Sequence, residues 1–214
     1  WLVAGSMPEL EICEDGSQKI YNTSFVYRPD GSTAAKHRKV HLFDIDVKAS
    51  EDDREKKKGP SGNKFFRESD TLSAGNEITV FDSPWGPVGL AVCYDIRFFE
   101  MFRLMEREGV RMIIVPGCFS MVTGSAHWEL LFKSRAVDTQ CFIIGCSQAR
   151  DENAAFVSYS HSMIVSPWGD VIRDAGTEEC ICFDDIDLTE TDRVRAGLPI
   201  LPQLRHDVYR LEKA

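Results

Sequence analysis

Cys93 is the residue whose type and position point most directly to chemistry. It ends the apolar run 89–93, which has the length and composition of a buried strand, and it precedes a stretch with helical spacing. Ligand sites in α/β proteins gather at the carboxyl ends of strands, where N–H groups of the following turn can meet an oxyanion. The position therefore predicts an exposed, nucleophilic thiol. Taken alone, such a cysteine is more often buried and inert.

A nucleophilic Cys93 would need a cation and a carboxylate nearby. A thiol has an ordinary pKa of about 8.5, so at neutral pH it is mostly protonated and needs both groups to act as a thiolate. Lys39 is the candidate cation and Glu68 the candidate carboxylate. Residue type alone leaves other interpretations open, because Lys39 also fits a solvated lysine of the basic run 36–39 and Glu68 an exposed loop carboxylate.

Arg97 lies four residues after Cys93 and is a candidate for binding a substrate carboxylate, because a guanidinium can grip a carboxylate through two parallel hydrogen bonds. The alternative is an arginine near a helix N-terminus that forms a structural ion pair. Metal chemistry has less support: the seven cysteines include no Cys-x-x-Cys pair, and among the five histidines only His37 and His41 are close in sequence. The sequence predicts no metal site and no cofactor.

The elements that would position these residues alternate between strands and helices. Residues 19–28 and 33–40 flank the turn 29–31 and predict a β-hairpin. Further strands are predicted at 78–82, 88–93, 112–115, 141–146, 162–165, 171–173 and 180–184, and helices with one apolar face at 98–105 and 128–136. This order predicts one α/β domain over residues 1–214 with a mixed sheet. The polar stretch 51–63 holds no apolar residue and predicts a solvated loop.

Charge and composition narrow the class of partner. The net charge of −9 argues against nucleic acid or an anionic membrane as the main partner and favours a small molecule. The apolar runs are too short to cross a bilayer, and the odd number of cysteines outside any spaced framework is typical of reduced thiols. We therefore expect a soluble, cytoplasmic protein. The sequence opens at Trp1 on a strand-like run, so we also expect a preceding segment, which leaves a mitochondrial location open.

Several segments resemble, in the right order, the motifs of the nitrilase superfamily. They are residues 38–44, 66–69, 89–98, 116–119 with 123–124, 126–129, 134–138 and 161–169. The resemblance covers nearly the whole chain apart from 51–63, which looks like an insertion. It implies a nitrilase-like αββα four-layer sandwich in one domain that forms a homodimer, and an amidohydrolase that forms a thioester on its cysteine.

The resemblance also implies roles for individual residues. Lys39, Cys93 and Glu68 match the lysine, the nucleophile and the second glutamate of the superfamily, with the Tyr94 N–H helping Lys39 to bind the oxyanion. The positions that match Phe119 and Thr123 line the substrate pocket, although Phe119 could equally belong to the core. The general base of the superfamily lies on an early strand, upstream of Trp1. Glu9 matches a different position and does not replace it.

Within the superfamily, residues 39–46, 134–138, 149–151 and 175–179 most resemble the ω-amidase branch. That resemblance implies hydrolysis of the side-chain amide of small ω-amido dicarboxylates such as α-ketoglutaramate. One alternative is the sister branch that acts on deaminated glutathione. A catalytically inactive interaction protein on the same fold is the alternative from a different class, and a redox-sensing thiol is a third.

Overall fold

The structure, a computed structural model, describes residues 1–46 and 65–214. The predicted loop at 51–63 lies outside the described residues. Within them the strands are β1 (Leu2–Val3), β2 (Met7–Ile12), β3 (Gln18–Tyr27), β4 (Thr33–Arg38), β5 (Asp44–Asp46), β6 (Phe65–Arg67), β7 (Thr79–Ser83), β8 (Gly86–Leu90), β9 (Met112–Pro116), β10 (Phe142–Cys146), β11 (Met163–Val165) and β12 (Val171–Asp174). The α-helices are α1 (Phe99–Glu106), α2 (Met121–Thr139) and α3 (Thr189–Gly197), and short 3-10 helices span Glu68–Asp70 and Cys93–Arg97.

The larger sheet has six strands in the order β12-β11-β10-β9-β8-β7. Its central strands β8, β9 and β10 are parallel, and the outer pairs are antiparallel. Parallel strands share one carboxyl edge, so the residues that follow β8, β9 and β10 meet at the same end of the sheet. Every residue of β9 is buried or partly buried, which explains its continuous apolar sequence.

A second sheet has four strands, and its strand β3 pairs antiparallel with β1, β2 and β4. The predicted hairpin is confirmed as β3 and β4. Its turn places Gly31 at a φ of +82°, a conformation that glycine adopts without strain. The end of β4 carries the chain directly into Lys39, whose backbone N–H donates to the Asn22 carbonyl of β3 at 2.8 Å. Lys39 is thereby fixed at the end of this sheet.

The two sheets and the helices form layers around two apolar clusters. Helices α1 and α2 cover one face of the six-stranded sheet, and the predicted apolar face of the second helix is confirmed, with Trp128, Phe132 and Ala136 buried. The four-stranded sheet covers the opposite face, where Val26 packs with Phe81, Val88 and Leu90. The described residues thus form a helix, sheet, sheet sequence of layers, which makes three of the four layers of an αββα sandwich.

One strand prediction is wrong. Residues 180–184 alternate as a strand should, but the structure has no strand there, and Ile181 and Phe183 are 83% and 82% exposed. Alternation indicates which side chains share a face, but a strand also needs a hydrogen-bonding neighbour, and in the described part of the chain this segment pairs with none.

Within residues 1–46 and 65–214, no helix is long and apolar enough to span a membrane.

Candidate active site

Cys93 is the first residue of the 3-10 helix Cys93–Arg97, in the tight turn that follows strand β8. Its backbone has a φ of +50°, in the left-handed region that residues with a Cβ rarely adopt. Such conformations cost about 1–3 kcal/mol and cluster at active sites, because the surrounding structure must hold them in place. The turn gives the Cys93 side chain a fixed direction at the carboxyl edge of the sheet.

The carboxyl ends of the three parallel strands surround a cavity of about 460 Å³. Cys93 follows β8, Gly117 and Cys118 follow β9, and Ser147 and Gln148 follow β10. The other described lining residues are Gly5, Ser6, Asn22, Lys39, Glu68, Pro116 and Cys146. The size is within the range of small-molecule sites, about 300–1,000 Å³.

Gly117 packs directly against the backbone of Cys93. A Cβ built on Gly117 would lie 2.9 Å from the Cys93 Cα, closer than non-bonded carbons approach, and 3.3 Å from the Cys93 Cβ, which is a tight contact. The glycine therefore lets the loop after β9 pass over the nucleophile turn. On that loop the Cys118 carbonyl accepts a hydrogen bond from the Cys93 thiol, with Sγ and oxygen 3.6 Å apart.

Lys39 and Glu68 form an ion pair in the wall of the same cavity. The side chain of Lys39 is 1% exposed and that of Glu68 is 16% exposed, so neither is a solvated surface group. The paired oxygen of Glu68, Oε2, also accepts a hydrogen bond from the Phe43 N–H at 2.9 Å. The structure thus brings Lys39, Glu68 and Cys93 to one cavity, and their catalytic roles stay predictions.

Two opposing effects act on the pKa of Cys93. Burial raises the pKa because it penalises the thiolate, and the Lys39 ammonium acts to lower it. Burial dominates, so the pKa stays above the usual value of a cysteine. A nucleophilic attack by this thiol therefore requires a base that removes its proton as the new bond forms.

The four predicted substrate-binding residues, Tyr94, Arg97, Phe119 and Thr123, are not among the described residues that line this cavity. Phe119 is 5% exposed and packs edge-on against Trp128, with ring centroids 5.1 Å apart, as a core residue does. Thr123 donates its N–H to the Ser120 hydroxyl in the N-cap of α2. The substrate-binding roles of these two residues stay predictions.

Arg97 and Tyr94 lie closer to the nucleophile turn, in its 3-10 helix. The Arg97 guanidinium lies 5.1 Å from the Phe119 ring centroid and 5.7 Å from that of Tyr94, and one of its nitrogens is 3.4 Å from His127 Nδ1. These contacts are weak and partly exposed, so the guanidinium can exchange them for a substrate carboxylate. Its role too remains a prediction.

The sequence analysis missed several polar residues of the cavity wall. Ser147 and Gln148 come directly after the apolar run 141–146, so the strand-end rule that singled out Cys93 applies equally to them. Ser6 and Asn22 carry no such signal. Ser6 lies between β1 and β2 and Asn22 lies in β3, so both belong to the four-stranded part of the fold, whose position over the cavity depends on tertiary packing. Among residues 1–46 and 65–214 there is no group of three or more His, Cys, Asp or Glu side chains arranged to hold a metal ion.

The family of the chain follows from comparison with known proteins. The family model described as carbon-nitrogen hydrolase matches residues 1–196. The chain belongs to the carbon-nitrogen hydrolase family. It is 46% identical over 213 residues to the protein named omega-amidase NIT2 of Xenopus tropicalis, covering 100% of this chain and 71% of that protein. The human protein of the same name is 44% identical over 212 residues, covering 99% of this chain and 70% of that protein.

Solved structures of the nitrilase superfamily confirm the fold. The structure of Saccharomyces cerevisiae Nit3, described as a member of branch 10 of that superfamily, has a TM-score of 0.79 and 37% identity and covers 95% of this chain and 66% of that one. The C. elegans NitFhit protein also has a TM-score of 0.79, with 34% identity, covering 90% of this chain and 44% of that one. The predicted α/β, nitrilase-type fold is thus confirmed, and this member of the carbon-nitrogen hydrolase family is a hydrolase of amides.

Proposed function

We propose that this protein is an ω-amidase, which hydrolyses the side-chain amide of small ω-amido dicarboxylates through a thioester on Cys93. The observation that carries the proposal is the pair of the buried Lys39 with the partly buried Glu68, in the wall of the cavity that holds Cys93. The similarity to proteins named omega-amidase supports the substrate class. A catalytically inactive fold would have no need of a buried lysine and a strained cysteine in one cavity.

The first half of the reaction forms the thioester. The Cys93 sulfur attacks the amide carbon while its proton passes to a carboxylate base. Glu68 is engaged by Lys39 and by the Phe43 N–H, so it suits a positioning role. The resemblance gives the role of base to a glutamate other than Glu68. When the carbon–nitrogen bond breaks, the leaving nitrogen takes up a proton and departs as ammonia.

Two donors stabilise the oxyanion of the tetrahedral intermediate in this proposal. One is the Lys39 ammonium, and the other is the N–H of Tyr94, which lies in the first turn of the 3-10 helix, where N–H groups lack intrahelical acceptors. A single donor of this kind contributes about 3–4 kcal/mol to the transition state. Water then attacks the thioester carbon and gives up a proton to the base. The carbon–sulfur bond breaks, the acid is released, and the Cys93 sulfur takes back a proton to regenerate the thiol.

The substrate class requires a group that binds the far carboxylate. Lys39 is the one cationic side chain among the described lining residues, and it is already paired with Glu68. Arg97, four residues beyond Cys93 at the end of the same 3-10 helix, is the cation that we assign to the carboxylate. With Arg97 in this role, the site would prefer an ω-amido dicarboxylate, which has a far carboxylate, over a neutral amide, which has none.

Ammonia release by the purified full-length protein tests this function. Three amides are compared: α-ketoglutaramate, deaminated glutathione and a neutral aliphatic amide of similar size. We expect the highest kcat/KM with α-ketoglutaramate and loss of activity in Cys93→Ala, with Cys13→Ala, which removes a free cysteine outside the cavity, as the control. Preference for deaminated glutathione would assign the protein to the sister branch, and activity that persists in Cys93→Ala would overturn the proposal.

A further inference from the structure

A single buried carboxylate connects the segment that carries Lys39 to the turn that carries Cys93. Asp95 Oδ2 accepts hydrogen bonds from His37 Nε2 at 3.1 Å and from the Val92 N–H at 3.0 Å. Its other oxygen, Oδ1, accepts from the N–H and the Nδ1 of His41 at 2.9 and 2.8 Å. Four donors from these two segments therefore converge on Asp95, which is 0% exposed.

The groups that bind Asp95 lie close in sequence to the two reactive residues, Lys39 and Cys93. His37 and His41 stand two positions before and two positions after Lys39, so Asp95 holds the chain on both sides of the lysine. Val92 and Asp95 likewise flank Cys93, and the bond between them closes the nucleophile turn in the manner of a helix-capping carboxylate. Movement of Asp95 would displace Lys39 and Cys93 relative to each other.

The network is built to remain ionised and rigid. Burial acts to raise the pKa of Asp95, but the hydrogen bonds from His37 and His41 together outweigh it and lower the pKa to about 2. His37 is itself fully buried and is fixed from its other side by the Thr79 hydroxyl, 2.9 Å from Nδ1. The His41 ring is stacked on Phe98, with centroids 3.6 Å apart. Each partner of Asp95 is thus held independently, and the carboxylate has one arrangement.

We propose that Asp95 is a positioning residue for the amide hydrolysis, which sets the placement of the Lys39 ammonium relative to the Cys93 sulfur through His37 and His41. Only the predicted effect of Asp95 on turnover rests on the function proposed above. The effect on Cys93 itself does not depend on any substrate, because the position of Lys39 determines how far the ammonium offsets the burial of the thiol.

The direction in which Asp95→Asn changes the Cys93 pKa distinguishes a positioning role of Asp95 from a direct effect of its charge on the thiol. Asp95→Asn removes a negative charge, and that loss by itself stabilises a nearby thiolate and lowers the thiol pKa. If Asp95 positions Lys39, the variant lets the ammonium move away, and the thiol pKa rises by about one unit. Misplacement of the reacting groups should also lower kcat by about 10²-fold while KM changes by less than about threefold.

The thiol pKa is measured as the pH dependence of alkylation by iodoacetamide in the full-length protein. Trypsin yields the peptide 68–97, in which Cys93 is the only cysteine, so mass spectrometry resolves it from the other six. The matched control is Asp174→Asn, which removes another aspartate that binds a histidine, His161, and a backbone N–H but lies outside the cavity of Cys93. A second control, Phe102→Leu, destabilises the core without touching the network.

Two variants keep the test decisive. His41→Phe retains the ring on Phe98 and removes one of the four donors, so it serves if Asp95→Asn does not fold, and it should shift the pKa upward by a smaller amount. An upward shift in either variant, absent from both controls, supports the positioning role even if no amide is hydrolysed by the wild type, a result that would overturn only the proposed function. A thiol pKa that is unchanged or lowered in the variants that fold would overturn the role of Asp95.

Discussion

Lys39 and Glu68 are 29 residues apart in sequence, yet their side chains form an ion pair in the wall of the cavity that holds Cys93. The lysine side chain is 1% exposed, and a charge that is so well shielded from water needs a partner. The pair therefore has two consequences: it holds a cation in the cavity of the Cys93 thiol, and it makes the stability of the fold depend on Glu68.

The first prediction concerns that stability. Glu68→Gln leaves the buried Lys39 ammonium without its counter-charge and should lower the free energy of unfolding by about 3 kcal/mol. The matched control is Glu129→Gln, which breaks the exposed pair with Lys133, whose side chains are 59% and 42% exposed. That variant should change stability by less than about 0.5 kcal/mol. Urea unfolding measures both, and equal effects would show that the Lys39–Glu68 pair is no more than a surface contact.

The second prediction concerns the reactivity of Cys93. Lys39→Met keeps the length of the side chain and removes the charge that opposes the effect of burial, so the pKa of the thiol should rise by about one unit. At a fixed neutral pH, alkylation of Cys93 should slow accordingly, whereas Lys133→Met should leave it unchanged. Peptide-resolved alkylation rates across pH provide the measurement. An unaltered Cys93 profile in Lys39→Met would mean that the ammonium does not act on the sulfur.

The sequence predicted the parts of the site that follow from local pattern. Cys93 stands out because an apolar run ends there, and the buried face of α2 follows from the helical spacing of Trp128, Phe132 and Ala136. The burial of Lys39 could not be read in the same way. Its neighbours 36–38 are polar or charged, and only the packing of the four-stranded sheet over the six-stranded one removes its side chain from water.

Contacts between distant segments account for the rest of what sequence reasoning missed. Asp95 looks like an ordinary helix N-terminal acid until tertiary structure brings His37 and His41 to it. The predicted strand at 180–184 failed for the same physical reason, because strand formation is decided by a pairing partner and not by the segment alone.

The third prediction concerns the close packing of Gly117 on Cys93. Gly117→Ala would place a Cβ 2.9 Å from the Cys93 Cα, so the loop or the nucleophile turn must shift. A displacement of the nucleophile by a fraction of an ångström should lower kcat by about 10- to 100-fold. Gly197→Ala, at the end of α3, adds a Cβ that meets no atom within 4 Å and should leave activity unchanged. Steady-state ammonia release compares the two, and a fully active Gly117→Ala would show that the turn tolerates the shift.

The fourth prediction concerns stability at acid pH. Glu9 accepts hydrogen bonds from Arg38, Lys36 and Thr23, and those from Arg38 do most to lower its pKa from 4.5 to about 2. A carboxylate whose pKa is lower in the folded state stabilises the fold above its unfolded pKa, and this contribution is lost as pH falls from about 4.5 towards 2. Glu9→Gln should therefore be less stable than the wild type at pH 7, with the difference shrinking below pH 4.5. Denaturant midpoints at a series of pH values measure it, and a difference independent of pH would contradict the assignment.

The central claim is that Cys93 forms a covalent thioester with the substrate. The full-length protein is mixed with α-ketoglutaramate, quenched in acid after a series of short intervals, digested at low pH and analysed by mass spectrometry. The account predicts a Cys93 peptide that is heavier by the mass of the substrate less ammonia, at a level that rises during the first turnover and vanishes when the substrate is exhausted. Release of ammonia at every interval with Cys93 unmodified, or with the acyl group on another residue, would contradict it.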